Sequence, residues 1–230
     1  MSISEHLRII SGSARGRKLL SPPGQSLVIR PTSDRAREAL FNIIGQRTLE
    51  AVVLDLYSGT GALGLESFSR GAKRVLFVDS SRLALDLITR NIQACAGAEE
   101  SPAEASPADV QPRLSLLQHD LRRGLPLRQF QHKGFSLFDL IFLDPPYAKG
   151  LCRRTLQDLD HSQVLAPEGL VIAEERAGET LENTFATLKL TDKRAYGDTA
   201  FWIFQSQQPD PYQSRPPDAH SHQTRNSHAE

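Results

Sequence analysis

The sequence predicts an α/β fold built on a doubly wound, mostly parallel, seven-stranded sheet. From Val52 onward, short apolar runs alternate with segments of helical periodicity, which is typical of a parallel sheet covered by helices on both faces. A glycine-rich turn, SGTGALG, directly follows the first apolar run, as expected where a strand enters a helix at the ligand-binding edge of such a sheet. Two apolar runs flank Gly197 and Asp198, and they predict an antiparallel hairpin that closes one edge.

Each element follows from its local pattern. Residues 7–30 carry short β-like pieces broken by glycine and proline, which predicts a small hairpin outside the core. Thr32, Ser33 and Asp34 can start a helix, and the spacing of the apolar residues that follow carries it to Gly45. The predicted strands of the parallel sheet are 52–57, 74–79, 114–120, 139–144 and 169–175, and the predicted helices are 58–71 and 81–97. The closing hairpin is predicted at 186–197 and 199–205.

These elements predict three regions. A basic extension of hairpin plus helix occupies 1–50, the main domain occupies 51–206, and a disordered tail occupies 207–230. An insertion at 96–112 is rich in Ala, Glu, Ser and Pro, so we expect a mobile surface loop. The tail contains His220, His222 and His228, but its polar composition favours disorder over a metal site.

The overall composition excludes several classes of protein. No run approaches the roughly 18 apolar residues that a membrane span requires, and the first residues lack the apolar block of a signal peptide. We therefore expect a cytoplasmic protein with no membrane partner. The chain has two cysteines, Cys95 and Cys152, in no pattern typical of disulfides or zinc, and no metal site is predicted.

The charge is unevenly distributed although the formal net charge is +0. Before Ala51 there are eight basic residues against four acidic ones, an excess of four positive charges. This excess predicts a surface for a phosphate backbone. A solvated basic face is the alternative.

The glycine turn is the first candidate site. Gly59, Gly61 and Gly64 satisfy G-x-G-x-x-G, a pattern that supplies positive φ and lets a ligand approach the backbone. It fits a dinucleotide and S-adenosylmethionine almost equally. Asp55 favours the second ligand, because an acid near this turn repels a pyrophosphate and attracts an ammonium group.

Two further acids complete the predicted cofactor site. Asp79 ends the second strand, where a carboxylate can accept both ribose hydroxyls. Asp120 follows the third strand and can accept from the adenine amino group, with help from the backbone of Leu121. Either acid could instead be a helix cap.

The second candidate site is the sequence Asp144, Pro145, Pro146 and Tyr147 after the fourth strand. Prolines have fixed φ and no N–H, so the Asp144 carboxylate and the Pro145 carbonyl form two acceptors with no donor between them. These two acceptors are suited to bind an NH₂ group of a base. Tyr147 can stack on a nucleotide that has flipped out of its helix or loop. Holding both hydrogens localises the nitrogen lone pair, and Asp144 can take the proton after the reaction. A plain surface turn explains neither the acid nor the aromatic residue.

Together these motifs resemble the class I S-adenosylmethionine-dependent methyltransferases. More narrowly, the chain resembles the RsmD family of bacterial small-subunit ribosomal RNA guanine-N2 methyltransferases. The resemblance spans roughly residues 7 to 205 and lies in RIISGSARGRKL, RPTSDRAREALFNII, LDLYSGTGALGLESFSRGAKRVLFVD and FDLIFLDPPYAKG. It implies a Rossmann-like fold and methylation of the 2-amino group of one guanine in 16S ribosomal RNA, guanine 966. It also implies that a monomer acts on the small subunit or on its assembly intermediate.

The resemblance also implies residue roles. The cofactor residues are Asp55, Tyr57, Ser58, Gly59, Thr60, Gly61, Gly64, Asp79, Ser80, Asp120 and Leu121. The RNA-binding residues are Arg15, Arg17, Lys18, Arg30, Thr32 and Arg35. The family usually has Glu in place of Asp79 and Phe-Ala in place of Tyr57 and Ser58, so a weaker ribose contact is expected here.

Three alternatives stay open. A DNA adenine-N6 or cytosine-N4 methyltransferase shares Asp-Pro-Pro-Tyr, but 230 residues leave no room for a separate target-recognition domain. A nicotinamide-dependent oxidoreductase would use the glycine turn, but Asp55 and the lack of a Tyr-x-x-x-Lys dyad disfavour it. A non-catalytic RNA-binding assembly factor could keep the same site.

Overall fold

A computed structural model describes residues 7–21, 34–96, 112–146, 150–182 and 184–207. The seven strands are β1 (Val52–Leu56), β2 (Arg74–Asp79), β3 (Leu114–Gln118), β4 (Phe138–Leu143), β5 (Leu165–Arg176), β6 (Leu188–Tyr196) and β7 (Thr199–Ser206). They form one sheet in the order β3-β2-β1-β4-β5-β7-β6. The first five pair in parallel, whereas β7 is antiparallel to both of its neighbours. The predicted doubly wound sheet is confirmed.

In the described ranges, five helices cover the two faces: α1 (Asp34–Ile44), α2 (Ala62–Ser69), α3 (Arg82–Ala96), α4 (Leu127–His132) and α5 (Leu151–Ser162). The first three share a core with alternate strand residues such as Val53 and Phe142, and α1 contributes Phe41, whose ring centroid lies 5.8 Å from that of Phe142. The last two cover the opposite face with residues such as Phe130 and Leu156. Because parallel strands are buried on both faces, their sequences are almost continuously apolar.

The N-terminal segment (residues 7–21) belongs to the core, so the prediction of a hairpin outside the core was wrong. Its antiparallel bridge joins Arg8 to Lys18, but Leu7, Ile9 and Leu19 are buried against the helices. At the tip of this segment, a Cβ on Gly12 would lie 1.7 Å from the Ser69 carbonyl oxygen. Only glycine allows this close approach to α2. The predicted part of the hairpin at 22–30 lies outside the described residues.

Other differences concern element ends and omissions. Strand β1 ends before Tyr57, which has a φ of 58°, and β5 begins four residues earlier than predicted. Helices α4 and α5 were not predicted at all. Residues 97–111 of the insertion and 208–230 of the tail lie outside the described residues. Within the described ranges, no helix is long and apolar enough to cross a membrane.

Candidate active site

The candidate site lies at the carboxyl ends of β1, β2 and β4, and β1 lies between the other two strands. Asp55 on β1 is level with Phe142 on β4 and Phe77 on β2. The chain runs from β1 to β2 and β3 on one side of β1 and then crosses back to β4 and β5 on the other side. Open α/β sheets bind ligands at such a switch point. The glycine turn and Asp144 therefore share one edge, as the sequence predicted.

The glycine turn (residues 57–61) is held by its own side chains. Gly59 and Gly61 have φ of 55° and 76°, and Gly61 is the N-cap residue of α2. The Ser58 hydroxyl donates to the Asp55 carbonyl oxygen at 2.6 Å and accepts from the Val78 amide at 2.9 Å. Since that hydroxyl is engaged by β1 and β2, Ser58 shapes the turn rather than presenting its side chain to a ligand.

Gly64 is required by packing inside the protein. A Cβ at this position would lie 2.3 Å from Phe77 Cε1 and 2.9 Å from Asp55 Oδ2. The third glycine of the pattern therefore brings α2 against the strands. Its expected role in letting a ligand approach the backbone stays a prediction.

Asp55 is a buried carboxyl group with a strongly altered acidity. It is 2% exposed, and its Oδ2 accepts from the Gly64 amide at 2.9 Å. Burial, and to a smaller extent the charge of Asp79, raise the pKa of Asp55 to about 8 against the lowering effect of that hydrogen bond. A cation at this position would favour the ionised form.

Asp79 ties the end of β2 to the turn. Its Oδ2 accepts from the Gly59 amide at 2.9 Å, and its Oδ1 accepts from the Ser81 amide at 2.8 Å. Each carboxylate oxygen can accept a second hydrogen bond, so the side chain keeps capacity for two hydroxyls. Ser80, beside it, is exposed.

Asp120 has the capping role that the sequence left open. It precedes a short 3₁₀ helix, Leu121–Arg123, and accepts from the Arg122 amide at 3.0 Å. The Arg122 guanidinium also donates to both carboxylate oxygens at 2.8 to 3.1 Å. These hydrogen bonds lower the pKa of Asp120 to about 2. Leu121 is buried, and contacts of either residue with adenine stay predictions.

The side chain of Tyr57 reaches helix α5. Its hydroxyl lies 3.0 Å from the Thr155 hydroxyl on α5, and its ring packs against the core on that face of the sheet. Its hydrogen bond fixes the turn to α5. This contact could not be predicted from the sequence, because α5 itself was not predicted.

Asp144 follows β4, with its amide donating to the Leu56 carbonyl at 3.5 Å. Burial and the nearby carboxylates of Glu174, Asp55 and Glu175 raise the pKa of Asp144 well above its usual range. Pro145 is buried and Pro146 is exposed. Tyr147 lies outside the described residues.

Glu174 is a candidate site residue that was not predicted from the sequence. The β4–β5 register pairs Leu143 with Ala173, so Glu174 on β5 is the next residue level with Asp144. It is 3% exposed, and it follows Ile172 on the face covered by α1, α2 and α3. The alternation in GLVIAEE could have placed Glu174 on that face. Carboxyl groups from three adjacent strand ends, Asp55, Asp144 and Glu174, thus face the same side of the sheet.

The predicted RNA-binding residues are spread over the N-terminal segment and α1. Arg15 and Arg17 are exposed near the tip that contacts Ser69, at the C-terminal end of α2. Helix α2 has eight residues and spans about 12 Å. This length separates the tip from the glycine turn at the other end of the helix. Lys18 and Arg35 are exposed too. Arg30 and Thr32 lie outside the described residues.

The described ranges contain no group of three or more His, Cys, Asp or Glu side chains arranged to hold a metal ion.

Comparisons with known proteins agree with this architecture. The family model described as Conserved hypothetical protein 95 matches residues 7–205. Ribosomal RNA small subunit methyltransferase D of Escherichia coli is 30% identical over 202 residues, which cover 88% of this chain and 91% of that protein.

Solved structures show the same fold. The Escherichia coli yhhF structure superposes with a TM-score of 0.70 and 26% identity, over 87% of this chain and 98% of that chain. SMU.776, solved in complex with SAH, has a TM-score of 0.53 and 18% identity, over 76% of this chain and 50% of that chain. At that identity the second likeness concerns the fold alone.

Proposed function

This chain belongs to the Conserved hypothetical protein 95 family, the RsmD family, and we propose that it is an S-adenosylmethionine-dependent ribosomal RNA methyltransferase. Its substrate is 16S RNA in the small ribosomal subunit or in an assembly intermediate. We propose the 2-amino group of one guanine, guanine 966, as its target. As an enzyme of the ribosome it works in the cytoplasm, as a monomer.

The observation that carries this proposal is the set of carboxyl groups at the strand ends. Burial raises the pKa of both Asp55 and Asp144. The charge of Asp79 adds to this effect at Asp55, and the charges of Glu174, Asp55 and Glu175 add to it at Asp144. Such a site repels a pyrophosphate and attracts a cation. This property favours S-adenosylmethionine, with an ammonium and a sulfonium group, over a nicotinamide dinucleotide.

The chain has residues suited to each part of that cofactor. Asp55 would pair with the ammonium group, and the free acceptor capacity of Asp79 would hold the ribose hydroxyls. The backbone of Gly59, Thr60 and Gly61 would contact the cofactor, and Asp120 and Leu121 would contact its adenine. When bound, the cofactor supplies an electrophilic methyl group on sulfur.

Asp144 and Pro145 would bind the amino group that accepts the methyl group. An amino group conjugated to a purine ring is a weak nucleophile, and two acceptors that hold its hydrogens keep its lone pair directed at the electrophile. The raised pKa of Asp144 makes its ionised form a better proton acceptor than an ordinary carboxylate. Tyr147 would stack on the base.

The basic N-terminal segment and the start of α1 would hold the RNA backbone. Arg15, Arg17, Lys18 and Arg35 are exposed and free to meet phosphates, and Arg30 and Thr32 lie between them in sequence. The tip with Arg15 and Arg17 lies away from the glycine turn, which suits a large substrate that reaches beyond the reacting base.

A transfer assay with tritium-labelled cofactor tests the substrate class. We expect label to enter small subunits isolated from a strain that lacks the enzyme, and not subunits that are already methylated. Naked 16S RNA and unmethylated DNA are the comparison substrates. Label in DNA with none in the subunit would favour the DNA amino-methyltransferase alternative and overturn the proposal.

A further inference from the structure

Asn91 makes an unusual set of hydrogen bonds. It lies on α3 and is 0% exposed. Its Oδ1 accepts from the Leu20 amide at 2.7 Å, and its Nδ2 donates to the Leu20 carbonyl at 3.1 Å. The same Nδ2 donates to the Thr60 carbonyl at 2.9 Å. One side chain thus joins the N-terminal segment to the glycine turn.

Both donors of this amide are engaged with backbone carbonyls. An amide group buried without partners is costly, so the position of Asn91 depends on Leu20 and Thr60 together. Conversely, a shift of Thr60 changes the geometry of a group that also holds Leu20. A core packing role alone would need an apolar residue here.

The two ends of this connection have different proposed ligands. Thr60 lies in the turn proposed for the cofactor, between Gly59 and Gly61. Leu20 follows Lys18 in the segment proposed for the RNA backbone. The inference below rests on the proposed function for the identity of these two ligands.

We propose that Asn91 is a positioning residue that couples the cofactor turn to the N-terminal segment. A ligand that orders Thr60 also orders Leu20, so the filled cofactor site prepares the segment for RNA. Because such coupling is reciprocal, RNA bound to the segment tightens binding at the turn by the same factor.

Ser69 offers a matched control at the other end of the same segment. Its hydroxyl donates to the Ser11 carbonyl at 2.6 Å and accepts from the Ala14 amide at 2.9 Å. It is buried like Asn91, but its hydrogen bonds reach only the N-terminal segment. Ser69→Ala therefore loosens the segment without touching the turn.

Hydrogen exchange of the Leu20 amide, with and without S-adenosylhomocysteine, tests the coupling in the full chain. Because a ligand stabilises the whole protein, the Ala14 amide serves as an internal reference. In the wild type we expect saturating ligand to slow exchange at Leu20 more than at Ala14, by about fivefold or more. In Ser69→Ala the ligand should still slow exchange at Leu20 by a similar factor.

In Asn91→Ala the ligand should change exchange at Leu20 by less than about twofold, while S-adenosylhomocysteine still binds, more weakly. The proposal is overturned if the wild type binds the ligand and Leu20 responds no more than Ala14 does. It is also overturned if Asn91→Ala keeps the wild-type response. A wild-type protein that fails to bind S-adenosylhomocysteine would instead overturn the cofactor site and this coupling with it.

Discussion

The affinity of the site for S-adenosylhomocysteine is expected to depend on pH through Asp55. Burial raises the pKa of this carboxyl to about 8, so the uncharged form predominates at neutral pH in the free protein. The ligand's ammonium group favours the ionised form, and binding below pH 8 must therefore release a proton. S-adenosylhomocysteine lacks the sulfonium charge, which leaves the ammonium as the only cation to pair.

The size of the effect follows from the pKa. About 1% of Asp55 is ionised at pH 6, about 10% at pH 7 and half at pH 8. If only this group titrates, the dissociation constant should fall about 50-fold between pH 6 and pH 8. Titration calorimetry in two buffers with different ionisation enthalpies would give both the affinity and the number of protons released.

Asp55→Asn provides the matched control, because the amide oxygen can still accept from the Gly64 amide. We expect weak binding that varies little with pH. The variant should be at least as stable as the wild type at pH 8, since a carboxyl whose pKa is raised on folding destabilises the fold as pH rises from its ordinary pKa towards the raised one. An affinity that does not change between pH 6 and pH 8 in the wild type would refute the reasoning, and so would an unchanged dependence in Asp55→Asn.

Three further predictions concern other parts of the site. Asp144→Ala should reduce methyl transfer at least about 100-fold with S-adenosylhomocysteine affinity within a few-fold of wild type, and a variant that keeps most of its activity would contradict the amine-holding role. Replacing Arg15 and Arg17 together by alanine should weaken RNA binding. The slope of log affinity against log salt concentration should become shallower by up to about one for each lost phosphate contact. An unchanged slope in filter-binding assays would exclude these two residues as RNA-backbone ligands. Gly64→Ala should lower the free energy of unfolding by about 1–3 kcal/mol through overpacking against Phe77 and lower the melting temperature by several degrees. A melting temperature equal to that of the wild type in calorimetry would show that a Cβ fits at this position.

The parallel sheet could be predicted from sequence because its strands carry a strong local signal. Runs such as VVLDL and FDLIFL are apolar on both faces, and the helices between β1, β2 and β3 have clear apolar spacing. Helix α4 has six residues, too few to show a helical period. Helix α5 follows the Asp-Pro-Pro-Tyr sequence, and its polar sequence LCRRTLQDLDHS contains only a narrow stripe of buried residues.

The candidate site was predicted only where its residues belong to a recognisable local pattern. Asp55, the glycines and Asp144 each sit at the end of a recognisable strand, so their common edge follows from the fold class. Asn91 and Thr155 act through tertiary contacts with Thr60 and Tyr57, and no local pattern indicates these contacts.

Ser58 illustrates a different limit. Its position in the turn is clear from the sequence, but the direction of its hydroxyl towards β1 and β2 depends on the packing of two strands. The burial of the N-terminal segment likewise depends on Glu66, whose carboxylate accepts from the Ile10 amide at 2.7 Å. These two residues are 56 positions apart in the sequence.

The central claim is tested most directly by the identity of the methylated nucleoside. Small subunits from a strain that lacks the enzyme would be incubated with the protein and S-adenosylmethionine, and their RNA digested and analysed by mass spectrometry. The account predicts N2-methylguanosine as the product, at a single position of 16S RNA, and none with Asp144→Ala. A methyl group on adenine, cytosine or a ring nitrogen of guanine would contradict it.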